Sequence, residues 1–292
     1  MPTEESLTGL ARRERKGLEK RLIGIKNIER MLPGSALAQF GGEAPPGTFS
    51  ADTAYMATED AYCDMWDRTD VIDARTRSIL NVSLMIGVGN VGNQFELAFH
   101  GPGAIYNGVT VEELEAMVVH ARAYVGSPCA AWAMMSIIEA LTKHNLMKQM
   151  PPGDSVRRER SGSEKRAIGR AVLRDMEPDS PLIKLPDDEM PKNVFAPELD
   201  YMVLENVYFD LWDRTDVLDR RTRSVVTLGL LMGLANYDAL SAHVPVARRN
   251  GITVPELEEF VYQAATYLGY VAGAAIRAAI AKALEKLPSN SG

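Results

Sequence analysis

The tightest constraint on the fold is that the chain states nearly everything twice. "MWDRTDVIDARTRS", from Met65 to Ser78, returns as "LWDRTDVLDRRTRS", from Leu211 to Ser224, changed only at Met65/Leu211, Ile72/Leu218 and Ala74/Arg220. The likeness runs outward on both sides. "EKRLIG" (19–24) pairs with "EKRAIG" (164–169), and "HGPGAIYNGVTVEELE" (100–115) pairs with "HVPVARRNGITVPELE" (243–258). The spacing falls from 146 to 143 within "GNVGNQFELAF", so the first copy carries three extra residues there. A match over nearly the whole chain means tandem duplication of one domain, not a shared short motif. We read repeat one as 12–147, a linker at 148–163, and repeat two as 164–287. The linker is marked by the prolines, glycine, serines and clustered charge of "KQMPPGDSVRRERSGSEK". "GGEAPPGTFSAD" and "LPDDEMPKNVFAP" read as loops inside the two copies.

Between these breaks the pattern is helical. In "TVEELEAMVVHARAYVG", Leu114, Met117, Val118 and Ala121 recur at the spacing of one helix face. Thr110 with Glu113, and Thr253 with Glu256, stand at capping-box spacing. Pro255 falls in a first turn, where proline is tolerated. Asn107-Gly108 and Asn250-Gly251 supply the preceding turns. Asp73 and Asp219 are placed to cap the helices that begin with the Arg-Thr-Arg-Ser phrase. No run of strand-like alternation appears. The fold class is therefore all-α, a duplicated helical domain, with length and 46% hydrophobic residues enough for a core in each half.

Charge and cysteine usage narrow the function. A net charge of −7 opposes nucleic-acid binding. Cys63 and Cys129 form no CxxC pair and no disulfide framework, as expected in a reducing compartment. The polar start lacks the apolar core of a secretory signal, and no stretch of 18 consecutive apolar residues is present, so the expectation is a cytoplasmic protein with no membrane partner.

The ordered motifs carry a family resemblance. Trp66, Arg68, Arg75, Arg77 and Ser78 are followed by His100 ahead of Asn107-Gly108. Then come Thr110, Glu113 and Glu115, and a Tyr124-x-Gly126-x-Pro128 segment leading into an Ala-rich helix. Copy two matches through Trp212, Arg214, Arg221, Arg223, His243, Asn250, Gly251, Glu258, Tyr267 and Gly269. Each copy resembles a carboxymuconolactone decarboxylase domain, the helical fold shared with alkylhydroperoxidase D. The peroxidase branch uses a Cys-x-x-Cys-x-x-x-His arrangement; here only Cys129 stands in that region, with Ala272 as its counterpart, so dithiol chemistry is not expected. The decarboxylase branch implies no cofactor and no metal. It also implies a small carboxylate substrate from aromatic catabolism, an anionic lactone or unsaturated keto acid, and a homo-oligomer in which three tandem chains form a pseudo-hexamer.

Decarboxylation leaves an electron pair that needs an enolate-stabilising group and a proton donor, and histidine suits the second task. His100 and His243 are equivalent and match the family histidine. Glu96 lies four residues before His100, on one face if both share a helix, where it can orient the ring or raise its pKa. Pro102 leaves open whether they do. His120 stands four residues before Tyr124. Copy two has Ala239 and Gln263 where copy one has Glu96 and His120. The expectation is a catalytic copy one, with His100 as general acid, Glu96 as its orienting partner and His120 as a second proton donor or oxyanion stabiliser. Arg77, Tyr124 and His243 are the substrate-binding candidates, Arg77 for a substrate carboxylate unless it serves a structural ion pair. Copy two is then a degenerate partner. The alternatives are an isomerase, hydratase or carbon–carbon lyase on the same acid–base site, and a non-catalytic binding or assembly protein.

Overall fold

The computed structural model describes residues 9–39, 41, 47, 51–89, 94–187, 190–192 and 194–287. Most of the first predicted loop, and residues 90–93 of the three-residue excess, lie outside these. Every regular element among the described residues is helical. In repeat one, Gly17–Met31 is followed by Ala51–Tyr55, which runs on into a π-helical stretch, Met56–Met65. Ala74–Val88, Gln94–Tyr106 and Val111–Lys143 complete the repeat. Repeat two retraces this order. Gly162–Met176 leads to Glu198–Val203 and its π-helical continuation Leu204–Trp212, and then come Arg220–Gly233, Tyr237–Arg249, Val254–Leu268 and Tyr270–Leu284.

The repeated phrases fix the same local joints in both halves. Asp73 accepts from Thr76 N at 2.7 Å and Asp219 from Thr222 N at 2.6 Å, so each aspartate caps its helix. Both capping boxes form. Asn107 Nδ2 donates to Ser78 Oγ at 3.0 Å, and Asn250 Nδ2 to Ser224 Oγ at 2.9 Å. These bonds explain why the Arg-x-Arg-Ser and Asn-Gly phrases travel together: each turn is tied to the first turn of a core helix. Gly126 (φ 80°) and Gly269 (φ 93°) sit in a backbone region that side chains with a Cβ avoid. At Gly126 the long helix Val111–Lys143 breaks direction. It is the helix, among the described residues, long and apolar enough by composition to cross a membrane; its first half nonetheless buries Leu114, Met117, Val118, His120 and Ala121 inside the protein.

The two repeats share one main core, beside a smaller cluster within each. One continuous cluster joins Ile79, Leu84, Met117 and Ile137 of the first repeat to Val225, Leu230, Phe260 and Ile276 of the second. Its centre is the antisymmetric pair Ala74–Val88 and Arg220–Gly233, the most extensive helix–helix contact in the protein. The close approach depends on missing side chains. A Cβ on Gly87 would lie 2.4 Å from the Leu230 carbonyl oxygen, and one on the equivalent Gly233 would lie 2.3 Å from that of Leu84. Gly233→Ala should therefore push the central helices apart and cost about 1–3 kcal/mol, the usual range for overpacking, read from the urea midpoint.

Candidate functional site

Two sites flank this central pair, and each is built from both repeats. At the first, the π-helical turn sets Tyr62 and Trp66 against the Gln94–Tyr106 helix. Glu96 and His100 do share that helix, with Pro102 inside it. Trp66 lies almost parallel to His100, with ring centroids 5.9 Å apart, and Phe99 meets the imidazole edge-on at 5.1 Å. The fourth wall belongs to repeat two: Tyr267 packs edge-on against His100 at 5.3 Å, and its hydroxyl accepts from Trp66 Nε1 at 2.7 Å. His100 is 1% exposed. Glu96 Oε2 stands 3.5 Å from His100 Nε2, at the limit of hydrogen bonding, and neither ring nitrogen has a closer partner among the described residues. The His100 contact, opposed by partial burial, holds the Glu96 carboxyl below the ordinary carboxylate range.

Beneath His100 lies a buried ionic network. Arg77, fully buried, donates from Nε to the Arg68 carbonyl at 2.8 Å, from Nη1 to Gln263 Oε1 at 3.1 Å, and from Nη2 to Glu259. Arg68 also binds Glu259, through Nε at 3.0 Å. Burial works to raise the Glu259 pKa, but the two guanidiniums outweigh it and hold the group ionised. This corrects the substrate-binding reading of Arg77. Its donors are committed to the repeat interface, and a substrate carboxylate would have to displace Glu259. The alternative, a structural ion pair, holds, with a partner from the other repeat in place of a neighbouring aspartate. The chain of bonds continues from Gln263 Nε2 to Asn81 Oδ1 at 3.2 Å, leaving Asn81 Nδ2 buried without a partner.

The second site shows where His120 and Tyr124 went. Neither joins His100. The Val111–Lys143 helix crosses to repeat two, where His120 meets Trp212 edge-on at 5.0 Å, and Tyr124 meets His243 at 5.9 Å. Arg223 Nη1 lies 3.2 Å from His120 Nδ1, and Thr227 Oγ1 lies 2.9 Å from His120 Nε2. A guanidinium only donates, so Nδ1 accepts, and the proton of the neutral ring sits on Nε2 and points at Thr227. The Thr227 hydroxyl donates onward to the Tyr124 oxygen at 3.2 Å. His243 Nδ1 donates to the Ala239 carbonyl at 2.9 Å, which leaves Nε2 as a bare acceptor. Tyr124, Tyr208, Glu177, Trp212 and His243 line a cavity of about 180 Å³.

The sites are thus related by the repeat but not alike. His120 and Thr227 occupy the places of Gln263 and Asn81, so the second site has an arginine-to-tyrosine chain through an imidazole and a hydroxyl, whereas in the first site the arginine is followed by two amides and the chain ends at Asn81. Ala116 stands where Glu259 does. The assignment of chemistry to one copy therefore needs correcting: Tyr267 and Gln263 of repeat two complete the His100 site, and His120 of repeat one serves the His243 site. Glu259 and Asn81 were missed in the sequence, where Tyr267 and Gln263 figured only as counterparts of Tyr124 and His120.

Burial, reinforced by Arg223 and His243, drives the His120 pKa well below 6.5. The unfolded chain then takes up this proton first as pH falls, so the stability is present above about pH 6.5 and lost below it, by up to about 1.4 kcal/mol per pH unit. His120→Gln, the residue of the other site, should flatten that slope in urea titrations between pH 7.5 and 5.

The comparison with known proteins agrees with this doubled architecture. The sequence profile described as "Carboxymuconolactone decarboxylase family" matches residues 53–139 and again 197–283. The chain belongs to the carboxymuconolactone decarboxylase family. A nitrosuccinic acid decarboxylase, npaB, of Metarhizium robertsii is 39% identical over 120 residues, which span 40% of this chain and 80% of that protein. A 4-carboxymuconolactone decarboxylase of Acinetobacter baylyi is 27% identical over 124 residues, 42% of this chain and 81% of that protein. Each match has the length of about one repeat. In this carboxymuconolactone decarboxylase family member, both family histidines, His100 and His243, face a tyrosine of the opposite repeat, and two decarboxylase relatives support a decarboxylase-like activity.

Proposed function

We propose that this chain is a decarboxylase acting at the His100 site on a small carboxylate whose neighbouring group accepts the electron pair left by CO₂. That group is a lactone or keto carbonyl, as in 4-carboxymuconolactone, or a nitro group, as in nitrosuccinic acid. A lactone substrate would put the protein in aromatic catabolism. The observation that carries this reading is the His100 imidazole itself: almost wholly buried, clamped by Trp66 and Tyr267, close to one carboxylate, and with no hydrogen bond from the described residues that occupies its nitrogens.

Each group has a chemical task. The Glu96 carboxylate orients the imidazole, and His100 supplies the proton that the product carbanion must receive. The Tyr267 oxygen already accepts from Trp66, which turns its own O–H away from the indole and frees it for a developing oxyanion. The aromatic walls exclude water, which would otherwise solvate the charge before it is quenched.

The test is release of CO₂ from nitrosuccinate and from 4-carboxymuconolactone by the purified chain. Turnover of either supports the reading; turnover of neither, with the helical fold intact by circular dichroism, contradicts the proposed substrate class.

A further inference from the structure

We propose that the cavity at His243 and Tyr124 is a second ligand site, which takes a compact uncharged carbonyl compound, a monocyclic ketone or lactone. The proposal stands apart from the assignment of decarboxylation to His100, because it uses different residues and excludes a carboxylate ligand.

The cavity wall sets the ligand's charge. Among the described residues no lysine or arginine lines it, whereas the Glu177 carboxyl does, with Tyr208 Oη donating to Glu177 Oε1 at 3.1 Å. An anion would lose its hydration and meet that carboxyl with no counter-charge to offset either. The remaining wall is largely apolar, with Met176, Val207, Val246 and the face of Trp212. About 180 Å³ lies below the roughly 300–1,000 Å³ of pockets that hold drug-sized molecules, so the ligand is a single small ring.

Two polar atoms set its functional group. The Tyr124 oxygen accepts from Thr227, so its own hydrogen is left to donate elsewhere. The Thr227 hydroxyl is fixed in that direction because its oxygen takes the His120 Nε2 proton, and His120 is fixed by Arg223. Opposite, His243 Nε2 offers a lone pair, because Nδ1–H is spent on the Ala239 carbonyl. A donor and an acceptor facing one small cavity fit a carbonyl group with polarised hydrogens on the adjacent carbon. The carbonyl oxygen takes the Tyr124 hydrogen bond, and those hydrogens lie toward His243.

Ligand-observed saturation-transfer NMR on the full chain tests this, with cyclohexanone as the neutral probe and cyclohexanecarboxylate as its anionic counterpart. Binding of cyclohexanone is expected, with no detectable binding of the carboxylate. Tyr124→Phe should weaken cyclohexanone roughly three- to tenfold, the effect of one hydrogen bond. Val207→Trp, which fills the cavity, should abolish binding, and His100→Ala should leave it unchanged. If Val207→Trp fails to fold, Tyr124→Phe alone decides. Absent cyclohexanone binding, equal binding of the carboxylate, or indifference to Tyr124→Phe would overturn the proposal.

Discussion

Glu259→Ala should destabilise the protein by about 3–5 kcal/mol, the cost of leaving a buried charge without its partner. Arg77 has no exposed surface and Glu259 is 3% exposed, so water cannot replace the lost carboxylate. Arg68 loses the same partner. Glu259→Gln should fall between the wild type and alanine, because an amide oxygen still accepts from one guanidinium. Urea unfolding of the three proteins checks the order, and a loss under 1 kcal/mol for alanine would mean that the network contributes little. The other half shows that a buried arginine can be held differently. With Ala116 in place of the carboxylate, Arg223 donates to His120 and to the carbonyls of Arg214 and Leu218. Its pKa is pushed down to about 10, first by burial and then by Arg214.

The second large effect concerns catalysis. His100→Ala should lower kcat/KM for CO₂ release by about 10²–10⁴-fold, the usual contribution of a positioned general acid. Glu96→Gln keeps the shape and removes the carboxylate beside the imidazole, so a smaller loss in kcat/KM is expected. An unchanged kcat/KM would mean that Glu96 does not act through His100.

The sequence made the joints of this fold readable because they are local. Asp73, Thr110 and Asn107 act on atoms that a few residues of helix geometry bring near, or on the neighbouring core helix. Glu96 and His100 likewise needed one uninterrupted helix, which the structure supplies despite Pro102. What spacing could not convey is the crossing. A helix bearing His120 and Tyr124 has the same periodicity whether it packs on its own repeat or on the other, and a duplicated sequence makes either arrangement plausible. The partner of Arg77 lies 182 positions away, and no aspartate in its own phrase competes successfully for it. That the repeats share one main core was unreadable for the same reason. Gly87 and Gly233 read as unremarkable small residues until the central helices are seen to touch there. One signal was available: the copies differ at His120/Gln263 and also at Asn81/Thr227, two members of one hydrogen-bond chain, which is the pattern expected of residues that face each other across the repeats.

The central claim, that each site is completed by the opposite repeat, is tested most directly by exchanging the two tyrosines one at a time. CO₂ release, on whichever of the two substrates is turned over, should fall in Tyr267→Phe, although Tyr267 lies in the repeat that does not contain His100, and should be unchanged in Tyr124→Phe. The reverse result, loss with Tyr124→Phe while Tyr267→Phe stays active, would place the chemistry at the Tyr124–His243 site and contradict the completion of the His100 site by Tyr267.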